Sequence, residues 1–280
     1  MKVFGIFGDP IEHSLSPAMQ NAAFRALGIK AFYLPFRVTK DVLKSAILGA
    51  AAMRFGGLNL TIPHKETALE IAQPDDLAKA IGAANTICFG REITAHNTDG
   101  EGAVMALEEK GVKIEGSKVL LIGAGGASRA IAYSLARSGV DLFIANRSPK
   151  RAMQLAGYVG AKGYGLEMLY KLVPRSEIII NATSVGMKKG DHRLFDGHLL
   201  HEGQVVFDVV YNRETELVQD ANEGGAVAID GVMMLVYQGA KALEIWTGKK
   251  APIGVMEKAV RDGLIARGLS MEVWSKVEQQ

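Results

Sequence analysis

Lys65 and Asp99 are the two side chains in this sequence best suited to moving a proton. If Pro63 opens a helix, Lys65 lies in the first turn, next to the positive end of the helix dipole. That position costs about 0.3–1 kcal/mol and lowers the pKa of the lysine. A nearby carboxylate would offset the cost, and Asp99 is the best candidate. Such a lysine can exchange a proton with a substrate oxygen near neutral pH.

A glycine-rich segment indicates a second kind of chemistry. Residues 123–130 read Gly-Ala-Gly-Gly-Ala-Ser-Arg-Ala and directly follow the apolar run 119–122. Glycine lets the backbone turn from a strand into a helix and approach a pyrophosphate, which binds the free amides of the helix N-terminus. Ser128 replaces the third glycine of the G-x-G-x-x-G pattern, so a turn that needs glycine only for steric reasons is the alternative. The context favours a dinucleotide site.

The residues after the second strand of this segment favour NADP. Domains that prefer NAD carry an Asp or Glu about 20 residues after the first glycine, whereas the predicted strand 142–145 is followed by Asn146, Arg147 and Ser148. Arg147 can pair with a 2′-phosphate through its planar guanidinium, and Arg151 adds positive charge. The alternative is an ordinary helix start that is capped by Ser148 and has solvated basic side chains. Because basic residues in a first turn oppose the helix dipole, NADP is the favoured interpretation.

Four further polar clusters come where predicted strands end, and ligands in open α/β sheets bind outside the carboxyl ends of strands. We therefore expect the clusters to converge on one small polar molecule. Helix capping is the alternative for several of them, because Ser16 and Thr61 precede prolines. Thr98 or Asp99 can likewise cap the helix that follows. Capping does not account for Lys65. The clusters are residues 8–17, 59–65, 82–86 and 96–100.

The elements that must carry these residues alternate between strands and helices. This alternation is typical of α/β proteins with parallel sheets and right-handed crossovers. The first series is β-α-β-α-β, followed by a helix from Pro63 and by a hairpin that turns at Gly90 and Arg91. Its predicted strands are 3–8, 32–36, 57–60, 85–89 and 92–96, and its first two helices are 17–27 and about 41–53.

A second alternating series predicts a second domain. Its strands are 118–122, 141–145, 177–180, 205–208 and 226–229, with one helix ending at 138 and another beginning at 149. Two later helices, 232–246 and 254–266, could pack back onto the first domain and make it discontinuous. The sequence thus predicts an α/β protein of two domains. Residues 1–100 with 232–280 form a substrate domain with a mainly parallel sheet, and residues 101–231 form a Rossmann-type NADP-binding domain.

Composition argues against several other classes of protein. The net charge is +2 and 22% of residues are charged, so neither nucleic-acid binding nor an acidic tail is indicated. The single cysteine, Cys88, excludes an intramolecular disulfide and a cysteine-based zinc site. His198 and His201 have no convincing third ligand, so no metal site is predicted. The apolar stretch 3–7 is too short for a signal peptide or membrane span, and we expect a cytosolic protein.

Taken in order, these motifs resemble those of the shikimate dehydrogenase family almost from end to end. Three positions depart from the family pattern. Gln20 stands where histidine is usual, Arg213 stands where proline commonly follows the asparagine, and the tail from Leu269 to Gln280 is longer than usual. The segments that carry the resemblance are 8–17, 59–65, 82–86, 97–100, 123–127, 146–147, 181–187, 208–212 and 231–239.

The resemblance implies a reaction and a substrate site. The reaction is the NADPH-dependent reduction of 3-dehydroshikimate to shikimate, a step toward chorismate and the aromatic amino acids. Lys65, paired with Asp99, would protonate the developing alkoxide or stabilise its charge. Ser14, Ser16 and Tyr211 would hold the substrate carboxylate. The hydroxyls and the reacting carbonyl would be held by Thr61, Lys65, Asn85, Asp99 and Gln238.

The resemblance also implies the cofactor contacts. NADP would be bound by Gly123, Ala124, Gly125, Gly126, Ala127, Asn146, Arg147, Ser148, Arg151, Thr183, Val209 and Gly231, with Ser184 nearby. Asp76 aligns with an acidic position that is sometimes linked to the cofactor. Val209 and Gly231 also have simple structural explanations, as a residue of the strand core and as a glycine at a helix start.

Two other functions stay open at this point. One is a quinate/shikimate dehydrogenase with a broader substrate range or with NAD as cofactor, because pocket shape decides whether the extra hydroxyl of quinate is rejected. The other is a noncatalytic NADP-binding sensor, which is not expected to keep both Lys65 and Asp99. The expected partner is a small molecule rather than nucleic acid or a membrane, and the expected assembly is a monomer or homodimer.

Overall fold

The computed structural model describes residues 1–268, which form two compact units. Unit 1 comprises Met1–Gly102 and Leu235–Gly263, and unit 2 comprises Ala103–Met234 with the described residues from Leu264 onward. The tail from Leu269 to Gln280, and with it the end of the predicted segment 232–280, lies outside the described residues.

Within residues 1–268 the chain alternates between strands and helices, as predicted. The strands are β1 (Lys2–Gly8), β2 (Ala31–Arg37), β3 (Gly57–Leu60), β4 (Gln73–Pro74), β5 (Thr86–Phe89), β6 (Ile93–His96), β7 (Lys118–Ile122), β8 (Asp141–Asn146), β9 (Lys162–Gly165), β10 (Ile178–Asn181), β11 (Val205–Asp208) and β12 (Val227–Ile229). The helices are α1 (Ser16–Ala26), α2 (Leu43–Ala52), α3 (Asp76–Ile81), α4 (Asp99–Glu109), α5 (Gly126–Arg137), α6 (Pro149–Val159), α7 (Leu169–Leu172), α8 (Glu216–Glu223), α9 (Val232–Thr247) and α10 (Ile253–Ile265). Short 3-10 helices cover Lys40–Val42, Thr67–Glu70, Leu166–Met168, Val173–Arg175 and Gly197–Leu199.

The sheet of unit 1 has the strand order β2-β1-β3-β5-β6-β4. β1 is parallel to β2 and β3, whereas β5 is antiparallel to both β3 and β6. The carboxyl ends of β1, β3 and β6 therefore lie at the same edge of the sheet as the amino end of β5. This edge carries all four polar clusters. On one face, a core that includes Leu43, Ile47, Leu58 and Ile87 supports the sheet.

The sheet of unit 2 is parallel throughout, with the order β12-β11-β10-β7-β8-β9. Counted along the chain within this unit, the order is 3-2-1-4-5-6, which is the arrangement of dinucleotide-binding domains. The central strand β7 is fully buried from Val119 to Ile122, as expected for a parallel sheet covered on both faces. The α/β fold class predicted from the sequence is confirmed.

The main errors of the sequence prediction concern one helix and two strands. No helix begins at Pro63; the chain forms turns there and then the 3-10 helix Thr67–Glu70. β4 and β9 were not predicted. β9 contains Gly163, where a side chain would collide with the backbone of Met153 on α6. The glycine that permits this close packing is also what weakens the strand signal in the sequence. The hairpin of β5 and β6 is confirmed.

Among the residues that the structure describes, no helix has the length and apolar character needed to cross a membrane.

Candidate active site

The predicted contact between Lys65 and Asp99 is present in unit 1. Lys65 Nζ lies 2.7 Å from Asp99 Oδ2, and the two side chains are 15% and 5% exposed. Lys65 lies in the turns that follow β3, and Asp99 is the first residue of α4 after β6. Because no helix begins at Pro63, the expected effect of a helix dipole on Lys65 is wrong. The carboxylate of Asp99, and not a helix end, is what orders the lysine.

Asn85 connects this ion pair to two further residues of the site. Its Nδ2 group donates to Asp99 Oδ1 at 2.9 Å and lies within hydrogen-bond distance of Thr98 Oγ1 and Gln238 Oε1. Thr98 Oγ1 in turn donates to the backbone carbonyl of Gln238 at 2.9 Å. The structure therefore brings together Lys65, Asn85, Asp99 and Gln238, which were all predicted site residues. The hydroxyl of Thr98 therefore takes part in the hydrogen bonds of this cluster, with Asn85 and with the carbonyl of Gln238 on α9.

A second layer of buried polar residues joins Asn59 and Thr86, which belong to the predicted polar clusters, to Tyr33, which was not identified from the sequence. Tyr33 is fully buried, and its hydroxyl donates to Asn59 Oδ1 at 2.7 Å. Asn59 Nδ2 donates to the carbonyl of Asn85 and to Thr86 Oγ1, both at 3.1 Å. Thr86 then donates to Asn85 Oδ1 at 3.0 Å. Tyr33 lies on a strand and has the sequence signature of a core residue, so no local signal pointed to this role.

Ser14 and Thr61 lie in the loops that follow β1 and β3, and Ser16 begins the helix after the first of these loops. The backbone of Ser16 donates to Ser14 Oγ at 3.2 Å. Ser16 is the first residue of α1, and Leu15 occupies the N-cap position without a side-chain cap; the capping interpretation of Ser16 is therefore wrong. Thr61 has no helix to cap, and its amide donates to the carbonyl of Phe7 at 2.9 Å. This backbone bond joins the loop after β3 to the carboxyl end of β1.

The glycine loop of unit 2 has the geometry that a dinucleotide requires. Gly123 has φ +123°, and a side chain there would lie 2.7 Å from Ser128 Oγ and 2.9 Å from the carbonyl of Ala182. Gly125 is the N-cap of α5, and a Cβ atom at that position would meet nothing within 4 Å. The open side of Gly125 and the N-terminal amides of α5 fit a pyrophosphate. Ser128 is fully buried and donates to Ala182 O at 3.2 Å, which explains why the third glycine is dispensable here.

The end of β8 shows both of the features weighed from the sequence. Ser148 caps α6 by accepting from the amide of Arg151 at 3.5 Å. Arg151 also reaches the glycine loop, since its guanidinium donates to the carbonyl of Ala124 at 3.2 Å. Arg147 is exposed, and Asn146 Nδ2 donates to Ser148 O at 3.1 Å. The two alternatives from the sequence therefore do not exclude each other: Ser148 caps α6, and basic side chains lie beside the glycine loop.

The remaining predicted residues follow three strands of unit 2, β10, β11 and β12, or lie on one helix of unit 1. Thr183 follows β10, and Val209 and Tyr211 follow β11. A side chain at Gly231 would collide with the carbonyl of Val209, so packing alone requires a glycine there. Asp76 is exposed in the first turn of α3.

Asp208, at the end of β11, is a titratable residue that sequence reasoning left without a role. It is fully buried, and burial raises the pKa of its carboxyl to about 6 although its hydrogen bonds act in the opposite direction.

Other reactive groups are poorly placed for chemistry. Burial raises the pKa of the Cys88 thiol to about 11, so it is protonated at neutral pH and is a weak nucleophile. His64 is fully buried and lies 2.7 Å from the carbonyl of Val38, and burial lowers its pKa, which keeps the imidazole neutral.

Gln20, one of the departures from the family pattern, donates to the carbonyl of Gly239 on α9 at 2.8 Å. Within residues 1–268, no three His, Cys, Asp or Glu side chains are grouped to hold a metal ion.

Three family models together match most of the chain. Residues 6–87 match a model described as the shikimate dehydrogenase substrate binding domain, and residues 105–230 match one described as shikimate / quinate 5-dehydrogenase. Residues 231–261 match the shikimate 5′-dehydrogenase C-terminal domain. A protein of Methanothrix thermoacetophila named shikimate dehydrogenase (NADP(+)) is 58% identical over 264 residues, which cover 94% of this chain and 98% of that protein.

Solved structures of related proteins share the fold over more than nine-tenths of this chain. A shikimate dehydrogenase in complex with NADP+ is 39% identical, with a TM-score of 0.89 over 94% of this chain and 96% of that one. A shikimate 5-dehydrogenase from Thermus thermophilus, in complex with NADP(H) and shikimate, is 33% identical. Its TM-score is 0.87 over 94% of this chain and 100% of that one.

Proposed function

This chain belongs to the shikimate dehydrogenase family, and from that membership we propose that it catalyses the reversible NADPH-dependent reduction of 3-dehydroshikimate to shikimate. The single observation that carries the proposal is the largely buried ion pair of Lys65 and Asp99, held by Asn85 beside Gln238. The proposed reaction consumes one NADPH and one proton and yields NADP+ and shikimate. It is a step toward chorismate and the aromatic amino acids.

Lys65 is the proposed proton donor. Bound NADPH supplies a hydride to the carbonyl carbon of the substrate, and a proton must then reach the carbonyl oxygen. The ammonium group of Lys65 has three N–H donors, of which one is directed to Asp99. The others can hydrogen-bond the developing alkoxide and transfer a proton to it. Asp99 holds the amine in place, and Asn85 fixes the second oxygen of that carboxylate.

The other polar residues of unit 1 suit a substrate with several hydroxyl groups. Asn85 and Gln238 present amide groups beside the ion pair, and Thr61 adds a hydroxyl in the loop after β3. We propose that these groups bind the ring hydroxyls, and that Ser14, Ser16 and Tyr211 bind the carboxylate. Hydroxyl groups, and not an arginine, would then recognise the anion.

The residues of unit 2 fit NADP. Gly123 and Gly125 allow close approach to the pyrophosphate at the start of α5. No carboxylate follows β8 to bind the 2′-hydroxyl of NAD. Arg147 and Arg151 instead supply two guanidinium groups for a 2′-phosphate. We propose that Ser148 and Thr183 add hydrogen bonds, and that the remaining predicted residues complete the cofactor site: Ala124, Gly126, Ala127, Asn146, Val209, Gly231 and Asp76.

Initial rates with four substrate and cofactor pairs test the proposal. Shikimate and quinate are each assayed with NADP+ and with NAD+, by following the absorbance of the reduced nicotinamide. We expect shikimate with NADP+ to give the highest kcat/KM. A higher value with quinate or NAD+ would identify the broader enzyme. The absence of turnover with all four pairs, together with NADPH binding, would contradict an enzymatic function and indicate a sensor.

Variants of Lys65 test the chemical role, with a matched control in the same unit. We expect Lys65→Ala to lose about 10²–10⁴-fold in kcat and to keep the wild-type Kd for NADPH. Lys241 forms a comparable ion pair with Glu101, at 2.6 Å between α9 and α4, but is 34% exposed and lies outside the polar cluster. Lys241→Ala should keep both values. Unchanged turnover in Lys65→Ala would overturn the role of Lys65 as proton donor.

The location and assembly of the protein stay predictions. The single cysteine and the small-molecule chemistry favour the cytosol. The predicted assembly is a monomer or a homodimer, and analytical ultracentrifugation would distinguish the two.

A further inference from the structure

Asp208, a buried residue that the proposed chemistry leaves without a role, is the centre of a hydrogen-bonded cluster in unit 2. We call the side chains of Asn181, Thr183, Asp208 and Thr215 the Asp208 cluster. Asp208 Oδ1 accepts from Asn181 Nδ2 at 2.9 Å and from the amide of Val210 at 3.0 Å. Asp208 Oδ2 accepts from Thr215 Oγ1 at 2.7 Å. Asn181, Asp208 and Thr215 are each no more than 1% exposed.

The first loop joined to Asp208 is the one that follows β10. Asn181 uses its Oδ1 atom to accept from the amide of Thr183 at 3.0 Å and from the hydroxyl of Thr183 at 2.7 Å. Its Nδ2 group also donates to the carbonyl of Val185 at 3.1 Å. The orientation of the Asn181 amide, which Asp208 fixes, therefore sets the position of Thr183.

The second loop joined to Asp208 is the one that follows β11. The bond to the amide of Val210 fixes the backbone between Val209 and Tyr211. The bond to Thr215 fixes the end of this loop at the N-cap of α8, where Thr215 also accepts from the amide of Val218 at 3.2 Å. Two oxygens of one carboxylate thus hold both ends of the segment that contains Tyr211.

The two loops also touch each other directly. Gly186 has φ +98°, and a side chain there would lie 2.9 Å from Thr215 Cγ2. Arg213 donates to the carbonyl of Gly186 at 3.1 Å, and Asn212 donates to the carbonyl of Met187 at 3.0 Å. Arg213, one of the departures from the family pattern, therefore takes part in the contact between these two loops.

A carboxylate meets the requirements of this position better than other side chains do. Three donors converge on its two oxygens, and a carboxylate is the side chain that offers acceptors alone. An asparagine has one acceptor oxygen, so its amide N–H would face either Thr215 or the pair of Asn181 and Val210. Burial of a carboxylate without a cationic partner is costly, and burial does raise the pKa of Asp208. A residue kept only for packing would be apolar.

We infer that Asp208 is a positioning residue for the reaction, because its carboxylate holds both of these loops through hydrogen bonds. One loop carries the proposed NADP contact Thr183, and the other carries the proposed NADP contact Val209 and the proposed substrate contact Tyr211. The inference rests on the proposed function for the roles of those three residues. Asp208 itself touches neither ligand in this scheme. Its effect on binding passes through Asn181, Val210 and Thr215.

NADPH binding without substrate tests the inference, with fluorescence of the reduced nicotinamide as the signal. We expect Asp208→Asn to weaken the Kd for NADPH about tenfold, because the loop that carries Thr183 loses its fixed position. Thr215 gives a matched pair of variants. Thr215→Ser keeps the hydroxyl that donates to Asp208 and should stay within about twofold of wild type, whereas Thr215→Val keeps the volume, removes the hydroxyl and should behave like Asp208→Asn.

A control on the same strand separates positioning from stability. Val206 is fully buried in β11 and is outside the Asp208 cluster, so Val206→Ala should lower Tm and leave the Kd for NADPH unchanged. Where Asp208→Asn fails to fold, the Thr215 pair still decides the question. If folded Asp208→Asn or Thr215→Val binds NADPH with the wild-type Kd, the inference about Asp208 is overturned but the proposed function is not. A wild-type protein that binds no NADPH would overturn the proposed function as well.

Discussion

The substitution Lys65→Ala removes the amine that donates to Asp99 Oδ2 at 2.7 Å. The carboxylate of Asp99 stays buried but loses this hydrogen bond. Asp99→Asn disturbs the same pair from the other side. Asparagine has one acceptor oxygen, but Lys65 and Asn85 both donate to residue 99. In either orientation the N–H group of the new amide therefore faces another donor, that of Lys65 or that of Asn85. In the double variant, Lys65→Ala with Asp99→Asn, this conflict is relieved, because the new N–H group no longer faces the lysine.

The expected magnitudes follow from the burial of the pair. Removal of one partner from a buried ion pair costs about 3–5 kcal/mol of unfolding free energy. Lys65 is 15% exposed and Asp99 is 5% exposed, so water reaches part of the pair and we expect about 2–3 kcal/mol for each single variant. The double variant should also lose about 2–3 kcal/mol, and not the sum of the two. The coupling free energy is then also about 2–3 kcal/mol.

Urea unfolding followed by tryptophan fluorescence measures these values. Trp246 reports on the unit that contains the pair, because its ring lies 5.2 Å from that of Phe4 and its indole N–H donates to the carbonyl of Ile87. Trp274 is the second tryptophan in the sequence, and a Trp274→Phe background leaves Trp246 as the reporter. All four proteins of the cycle are compared in that background.

The exposed pair of Lys241 and Glu101 provides the control cycle. Its partners are 34% and 49% exposed, so its coupling should not exceed about 1 kcal/mol. If the losses in Lys65→Ala and Asp99→Asn add to within about 0.5 kcal/mol in the double variant, the two side chains do not interact in the folded protein. That result would refute the argument that Asp99 holds Lys65 in place for proton transfer.

Three further predictions concern unit 2. The folded-state pKa of Asp208, about 6, lies above its ordinary value, so its contribution to stability is largest at low pH and is lost as pH rises through 6. Relative to Asp208→Asn, the wild type should gain about 1.4 kcal/mol of unfolding free energy between pH 7.5 and pH 5 in urea titrations; no change would show that the carboxyl has an ordinary pKa. Gly125→Ala should keep the wild-type Tm and weaken NADPH binding, whereas Gly123→Ala should cost about 2–3 kcal/mol of stability through its clash and positive φ; equal Tm values for both variants would contradict the loop geometry. Arg147→Gln should lower the ratio of kcat/KM for NADP+ to that for NAD+ by about 10–100-fold, and an unchanged ratio would remove Arg147 from the cofactor site.

Strong local signals explain what the sequence predicted well. The apolar run of β7, the glycine loop and the Ser148 cap each depend on residues that are close in the chain, and all are present in the structure. The helix expected from Pro63 shows the limit of such signals. There the amide of Thr61 donates to the carbonyl of Phe7 and the carbonyl of Lys65 accepts from the amide of Ala84. Because neighbouring segments satisfy these backbone groups, the chain has no need of helical hydrogen bonds.

The residues that could form a site, and the order in which they occur, were determined by the sequence itself. The resemblance to shikimate dehydrogenases followed from that order before any contact was known. Tertiary structure alone decided how the residues are connected. The second layer of Tyr33 and Asn59, and the three bonds to Asp208, join residues on different strands and loops. Their formation depends on strand order and register, since a shift of one residue would turn each side chain to the opposite face of the sheet.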